Sequence, residues 1–349
     1  MIPAATLLSL LLISAGMLST PTAQAPSQTV RAGRPEEPLP ARITLYNHFY
    51  TNLHHFLYEQ ATKDSAPPSP IRTSPDSIGA SRGDEPASPP AGLTRQREGG
   101  LAAAVAYYRK NLTPPRRGNL SFDSELVEIG RKISRSENIA DLRERGLEEG
   151  LIQALVKATP IYREKYWPED ERRNQAWMES ARKLVTEKGD QLAKQLTLVY
   201  QSPWPKEPIR MDVTGYAGPS GVYTTPATAG PAHTVISSAD PRNQGLDAAE
   251  VILHEASHAL IKPVQDAIAS ECRSRNRPIP RDLWHALLFY TTGQLVQREF
   301  GDPLSYAERY GLYRGRWARY LELLRLYWQP YLDGRTNFDQ AIASIIAAL

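Results

Sequence analysis

Apolar residues recur at helical spacing through most of the N-terminal half of the chain. In the segment 41–60, a broad apolar face is formed by Leu45, Phe49, Leu53, Phe56 and Leu57. This spacing predicts a helix over 41–60. The same pattern predicts helices over 101–112, 124–133, 147–166 and 171–200, so residues 99–202 form a predicted helical region. His48, His54 and His55 lack the four-residue spacing of a chelating helical pair, and we interpret them as ordinary side chains of an amphipathic helix.

The pattern changes after residue 203, where short β-rich runs replace the helical periodicity. These runs span 209–213, 221–224 and 233–237, and Gly and Pro clusters separate them, which predicts a small sheet. Helical patterns return over 247–261, 282–300 and 303–349. We therefore predict a mainly α protein with a small β-sheet, an α+β fold, whose second region covers 203–349.

Proline marks two further regions of the 349-residue chain. Of the 29 prolines, 12 fall between residues 21 and 90. We interpret 26–40 as a Pro-rich linker and 61–98 as a disordered Pro/Ser-rich insert, because such segments cannot bury enough apolar area to offset chain entropy. The composition of the whole chain, 41% hydrophobic, is that of a folded protein.

The first 25 residues have the plan of a secretory signal peptide. An apolar run over 4–18 is shorter than a membrane-spanning helix, and Ala23-Gln24-Ala25 supplies a small-x-small cleavage site. We expect export to the periplasm or the extracellular space, with no stable membrane insertion after cleavage. If the leader stays uncleaved, it becomes an N-terminal membrane anchor.

Charge and cysteine content limit the classes of partner and of stabilising bond. The net charge is +3 and there is no Gly-rich phosphate loop, so we expect no nucleic-acid partner. Cys272 is the sole cysteine, which excludes an intrachain disulfide. Stability therefore depends on packing, with a metal ion as a further candidate.

The segment His254-Glu255-Ala256-Ser257-His258 carries the clearest chemistry in the sequence. At about 100° per residue, the two histidines of this H-E-x-x-H motif lie on one face of a helix and can converge on one ion. Zn²⁺ suits neutral imidazoles, and an open coordination position lowers the pKa of bound water. Glu255 is placed to take the proton of that water.

With this motif after a β-rich stretch, roughly residues 208–320 resemble the zincin metallopeptidases. The resemblance implies the order strand, active-site helix, and helix with the third metal ligand. It also implies that His254 and His258 bind zinc and that Glu255 is the general base. The metzincin branch requires Gly and His where this chain has Ile261 and Val264, so the resemblance is to the gluzincin-like branch.

The third metal ligand is open on sequence grounds. We favour His285, because it stands in the first turns of the next long helix, where the resembled architecture places its third ligand. The competing interpretation makes His285 a buried core residue and assigns the ligand to Glu271 or Glu299. Glu299 lies about 21 Å further along the same helix, so it cannot share an ion with His285.

Two supporting assignments are weaker than the motif itself. Glu250 lies one turn before His254 and could orient its imidazole, but its spacing from Asp247 favours a helix capping box instead. Aromatic residues continue on one predicted helical stripe: Tyr306, Tyr310, Tyr313, Trp317, Tyr320 and Tyr327. We expect this stripe to lie in the core, and one hydroxyl among the first three tyrosines could stabilise an oxyanion.

Two functions from different classes fit these observations. The first is an exported zinc metallopeptidase that cleaves a peptide or protein substrate, with the strand at 233–238 pairing with the extended substrate. The alternative is a non-catalytic helical binding or scaffold protein whose H-E-x-x-H zinc site is structural or vestigial. A coordination position open to water beside Glu255 would distinguish the first from the second.

Overall fold

The strands of the protein bring together two distant parts of the chain. The structure, a computed structural model, describes residues 40–63, 91–113, 120–121, 123–225 and 232–349. The predicted signal peptide, most of the predicted linker and the centre of the predicted insert lie outside these residues. The four strands are β1 (Ile43–Tyr46), β2 (Ile209–Thr214), β3 (Val222–Thr224) and β4 (Thr234–Ser237).

Helices make up most of the described chain. They are α1 (Phe49–Lys63), α2 (Ala91–Asn111), α3 (Ser124–Ser134), α4 (Ile139–Glu144), α5 (Glu149–Ile161), α6 (Trp167–Tyr200), α7 (Leu246–Ser257), α8 (Lys262–Ser274), α9 (Leu283–Phe300), α10 (Tyr306–Arg309), α11 (Arg316–Leu323), α12 (Gln329–Leu332) and α13 (Phe338–Ala348). Single wide turns at Tyr162–Tyr166 and Leu324–Trp328 join α5 to α6 and α11 to α12. The fold is therefore mainly helical with a small sheet, as predicted. No helix of the described ranges has both the length and the apolar character needed to cross a bilayer.

The sheet has the strand order β1-β2-β4-β3. β1, β2 and β4 run parallel, whereas β3 is antiparallel to β4. Because β1 pairs with β2, the sheet joins the predicted 41–60 segment to the predicted 203–349 region. The three strands expected after residue 203 are confirmed, and the fourth comes from the half expected to be wholly helical.

The prediction of one helix over 41–60 is wrong at its start. Residues Ile43–Tyr46 form β1, and α1 begins only at Phe49. Ile43 and Leu45 are fully buried and Thr44 nearly so, which is typical of a parallel strand covered on both faces. Leu45 and Phe49 are four residues apart, so a helical periodicity through this segment concealed the strand.

Two further boundaries differ from the prediction. The insert predicted over 61–98 is shorter, because α1 continues to residue 63 and α2 begins at residue 91. The sequence pattern predicts no helix between 261 and 282, yet α8 begins directly after Ile261 and continues to residue 274. Proline at the first or second position of a helix lacks only an N–H that has no intrahelical partner, so Pro263 marks a start.

The site-bearing helix α7 lies between two hydrophobic clusters. On one side it packs with the sheet and α6 through residues such as Val251, Ile252 and Val213. On the other side Leu253 belongs to a larger cluster that includes α8, α9, α11 and α13. Every residue of α7 from Ala248 to Ser257 is buried. A helix enclosed in this way holds its polar side chains in fixed positions.

Candidate metal centre

The two histidines of the motif stand on the same face at the end of α7. His254 is buried, and His258 follows directly after the last residue of the helix with its side chain 18% exposed. Their ring centroids are 5.2 Å apart. The one-turn spacing therefore brings both imidazoles to one point, as expected from the sequence.

His285 joins this pair from the first turn of α9. Its Nε2 lies 3.2 Å from Nε2 of His254, and the potential ligand atoms of all three histidines lie within 4.8 Å of one another. The three histidines are thus close enough to bind one metal ion. Of the three residues considered as third ligand, the structure brings only His285 to the cluster.

The two competing glutamates are engaged elsewhere. Glu299 accepts hydrogen bonds from the side chains of Gln191 and Gln195, both at 2.7 Å, and so connects α9 to α6. Glu271 on α8 forms an ion pair with Arg275, the residue that directly follows this helix. Neither carboxylate belongs to the three-histidine cluster.

All three imidazoles are held in their neutral form. Burial and the neighbouring histidines keep the pKa of His254 well below its ordinary value. Burial lowers the pKa of His258 to about 3 and that of His285 to about 4, with Asp282 opposing the shift at His285. Neutral imidazole is the form that binds metal ions, so the cluster is in its ligand form at neutral pH.

Glu255 lies beside the cluster with one free carboxylate oxygen. Its Oε2 is 3.7 Å from Nε2 of His258, is buried, and has no hydrogen-bond partner in the described part of the chain. Burial raises the pKa of Glu255 to about 7, and a hydrogen bond with Thr224 opposes the shift. A carboxyl group poised near neutral pH can both accept and return a proton.

Thr224 brings the sheet into the site, at the end of β3. Its hydroxyl is 2.6 Å from that of Thr234 on β4, so a pair of threonines backs the Glu255 carboxyl group. The expected role of 233–238 in pairing with a substrate is wrong, because β4 already has β2 on one side and β3 on the other. Within the described ranges, β3 is the strand beside the site that has an edge without a neighbouring strand.

Aromatic rings surround the three imidazoles. Phe289 stacks on His254 with a centroid separation of 3.7 Å, and Trp284 stacks on His285 at 5.0 Å. Trp317 meets His285 edge-on at 5.6 Å. Phe289 was not among the predicted site residues, although its position four residues after His285 places both on one face of α9.

The assignment of Glu250 to a capping box is wrong. α7 begins at Leu246, its N-cap is Gly245, and no side chain caps it. Asp247 lies inside the first turn, where it accepts hydrogen bonds from Tyr310 and Arg309. A glycine with positive φ stands at the N-cap in place of the expected Asp247, which leaves the buried Glu250 without a capping role.

The predicted aromatic stripe over 306–327 does not lie on one continuous helix. The chain turns at Gly311 and Gly315, both with positive φ, between α10 and α11. The Tyr310 hydroxyl is bound to Asp247, and that of Tyr313 is buried without a hydrogen-bond partner in the described ranges. The stripe is interrupted because the chain there adopts positive φ angles, which residues other than glycine rarely adopt. Regular spacing of the aromatic residues was therefore not enough to predict one helix.

His54 and His55 of α1, and His48 directly before it, are buried. His54 bonds to the Tyr108 hydroxyl at 2.8 Å, and His55 bonds to the Tyr223 hydroxyl at 2.9 Å. His48 contacts the Ser136 carbonyl oxygen at 2.8 Å. They connect α1 to its neighbours and lie outside the metal-binding cluster, as predicted.

Comparison of the chain with protein-family models, with curated proteins and with solved structures gives no match. The interpretation of the site therefore depends on its own geometry and chemistry.

Proposed function

We propose that this protein is a zinc-dependent metallohydrolase that cleaves peptide bonds. The observation that carries the proposal is the position of Glu255, whose free carboxylate oxygen lies beside three convergent neutral imidazoles. Metal-assisted hydrolysis requires metal ligands and an adjacent base, and here the three imidazoles are the ligands and Glu255 is the base.

The donor set suits zinc. Zn²⁺ accepts imidazole nitrogen, and its catalytic sites use three protein ligands whereas its structural sites use four. The cluster contains three histidines and no fourth donor from the described residues, which supports a catalytic type of site. His254, His258 and His285 would hold the ion.

Bound zinc supplies a Lewis acid that lowers the pKa of water and polarises a carbonyl group. Glu255 would take a proton from the attacking water through Oε2, and would return it to the leaving amine. A buried carboxylate with a free oxygen at this position can perform both transfers. Thr224 would keep the other side of this carboxyl group in place, and Phe289 would limit the rotation of the His254 ring.

A peptide is the substrate class that the surroundings favour. β3 ends at Thr224, beside Glu255, and no strand of the described ranges pairs with its outer edge, where the Val222 carbonyl oxygen accepts a hydrogen bond from the Ser220 hydroxyl. An extended peptide can add to such an edge through backbone hydrogen bonds, which places a peptide bond near the site. We also propose that the activity is exported, on the basis of the leader in residues 1–25.

Glu255→Gln tests the proposal against its alternative. The variant should keep one equivalent of zinc and the wild-type fold, because a glutamine side chain has nearly the same shape as glutamate. Hydrolysis of an unfolded protein should fall by about 10²–10⁴-fold, because an amide cannot accept the proton. Elemental analysis and a fluorogenic peptide library measure the two effects.

The double variant His254→Ala, His258→Ala is the control for the metal site and should contain no zinc. Zinc retained by that variant would disprove the site. Wild-type protein that binds zinc and cleaves nothing in the library would replace the peptidase with the scaffold interpretation.

A further inference from the structure

Glu250 is a buried carboxyl group that neither the metal centre nor the proposed chemistry uses. It lies one turn before His254 on α7 and is 3% exposed. Its Oε2 accepts a hydrogen bond of 2.9 Å from the backbone N–H of Tyr306, the first residue of α10. Glu250 therefore holds the start of another helix against the site-bearing helix.

Three rings connect this hydrogen bond to the metal centre. Tyr306 stacks on Phe289 with centroids 6.1 Å apart and an interplanar angle of 11°. Phe289 in turn stacks on His254 at 3.7 Å and 27°. The position of the Tyr306 backbone thus limits the positions open to the Phe289 ring. The Phe289 ring in turn limits the orientation of the His254 imidazole plane.

His254 depends on this stacking more than a metal-binding histidine usually does. Such a histidine ordinarily donates a hydrogen bond from its second ring nitrogen, which fixes its orientation. Nδ1 of His254 is buried and has no hydrogen-bond partner in the described ranges. Ring packing must supply the orientation that a hydrogen bond supplies elsewhere.

Burial favours the neutral form of Glu250. Burial raises its pKa to about 8, and Asp247 and Asp302 add to the shift. The Tyr306 amide and Arg309 oppose it. A neutral carboxyl group can still accept the Tyr306 N–H, so an uncharged amide of the same shape can replace it.

From these contacts we propose that Glu250 is a positioning residue of the metal centre, which orients the His254 imidazole through Tyr306 and Phe289. The proposal rests on the metal site of the proposed function. It does not depend on the reaction that the site catalyses.

Zn²⁺ affinity, measured by competition with a chromophoric chelator, tests the proposal. Glu250→Ala should weaken binding by about 10–100-fold, the usual effect of losing a residue that orients a ligand. Glu250→Gln should restore affinity to within about threefold of wild type, because its Oε1 still accepts the Tyr306 N–H and removal of such a partner is what costs affinity. Phe289→Leu should weaken binding as Glu250→Ala does, and the double variant should lose no more than the weaker-binding single variant.

The matched control is Ile345→Ala, which removes buried side-chain volume from α13, a helix that packs on α8. It should lower thermal stability and leave Zn²⁺ affinity unchanged. Wild-type affinity in Glu250→Ala, or an equal loss in Ile345→Ala, would overturn the proposal.

An NMR measurement on the metal-free protein tests the positioning role independently of the proposed function. The Phe289 ring current should shift the His254 imidazole protons in the NMR spectrum, and Glu250→Ala should reduce that shift while Glu250→Gln restores it. Unchanged His254 resonances in Glu250→Ala would contradict the positioning role. A wild type that binds zinc without hydrolysing peptides would leave the positioning role intact and refute only the peptidase.

Discussion

At the scale of single residues, the three imidazoles of the metal centre lie too close together for any two to be protonated. With His254 and His285 nitrogens 3.2 Å apart, two positive charges would repel strongly in a poorly hydrated pocket. Burial is the main cause of the lowered pKa values of all three histidines, and repulsion by neighbouring histidines adds to the shift at His254 and His258. A divalent cation can bind the three nitrogens at once, because all three imidazoles are then in the neutral form and do not repel one another.

His285→Ala should lower Zn²⁺ affinity by more than about 100-fold, beyond the usual cost of losing a residue that only orients a ligand. Glu299→Ala should leave the affinity within about threefold of wild type, since its carboxylate binds Gln191 and Gln195 instead of the cluster. Chelator competition compares the two variants. A larger loss of Zn²⁺ affinity in Glu299→Ala would support the competing interpretation, in which His285 is a buried core residue.

At the scale of elements, α9 and the residue before α10 approach each other closely at Gly293. A Cβ at this position would lie 2.6 Å from Cβ of Ser305 and 3.1 Å from Oε1 of Glu250. The missing side chain therefore allows Ser305 and Tyr306 to reach α7. Glycine is required here by packing, because its backbone is ordinary helix.

Gly293→Ala should lower the free energy of unfolding by about 1–3 kcal/mol, because the added methyl must displace Ser305. Gly130→Ala is the matched control in α3, where a Cβ would meet nothing within 4 Å. It should raise stability by about 0.5–1 kcal/mol through helix propensity alone. Urea unfolding of both variants checks the opposite signs, and equal gains would show that the contact relaxes freely.

The secondary structure was predictable where one periodicity dominates a long segment. α6 and α9 follow from their apolar spacing, and the three strands after residue 203 follow from β-branched runs between glycines and prolines. β1 was not predictable, because four residues are too few to separate a strand from the helix that follows it. α8 was missed although Pro263 marks its start.

At the scale of the whole molecule, the sheet and the buried histidines connect α1 to the C-terminal region. β1 pairs with β2 across more than 160 residues, and His55 on α1 bonds to the Tyr223 hydroxyl on β3. Tyr223 precedes Thr224, which backs Glu255. The N-terminal region thus supports the strand that borders the three-histidine cluster.

Burial of His55 should make stability depend on pH. Its pKa is lowered from 6.5 to about 4 in the folded protein, chiefly by burial. Below pH 6.5 the unfolded chain binds a proton that the folded chain refuses, so stability falls as the pH drops towards 4. At about 1.4 kcal/mol per pKa unit, His55 alone should contribute a loss of about 3 kcal/mol.

His55→Gln isolates this contribution, because glutamine keeps a donor and an acceptor and does not titrate. Between pH 7 and pH 4, the free energy of unfolding should fall by about 3 kcal/mol more in wild type than in the variant. Urea titrations at four pH values measure the difference, and every other ionisable group is common to both proteins. If the free energy of unfolding depends on pH equally in both proteins, the pKa of His55 is not lowered by folding.

The sequence alone determined the local chemistry: the motif at 254–258, the helix that carries it and the short strands before it. These depend on contacts within a few residues, which periodicity and spacing describe. The tertiary structure alone decided which distant side chains meet, including His285 against Glu299, Glu250 on Tyr306 and Thr224 beside Glu255. Such pairings depend on how helices and strands pack, since many distant residues satisfy the same local pattern and only burial in a common core selects among them.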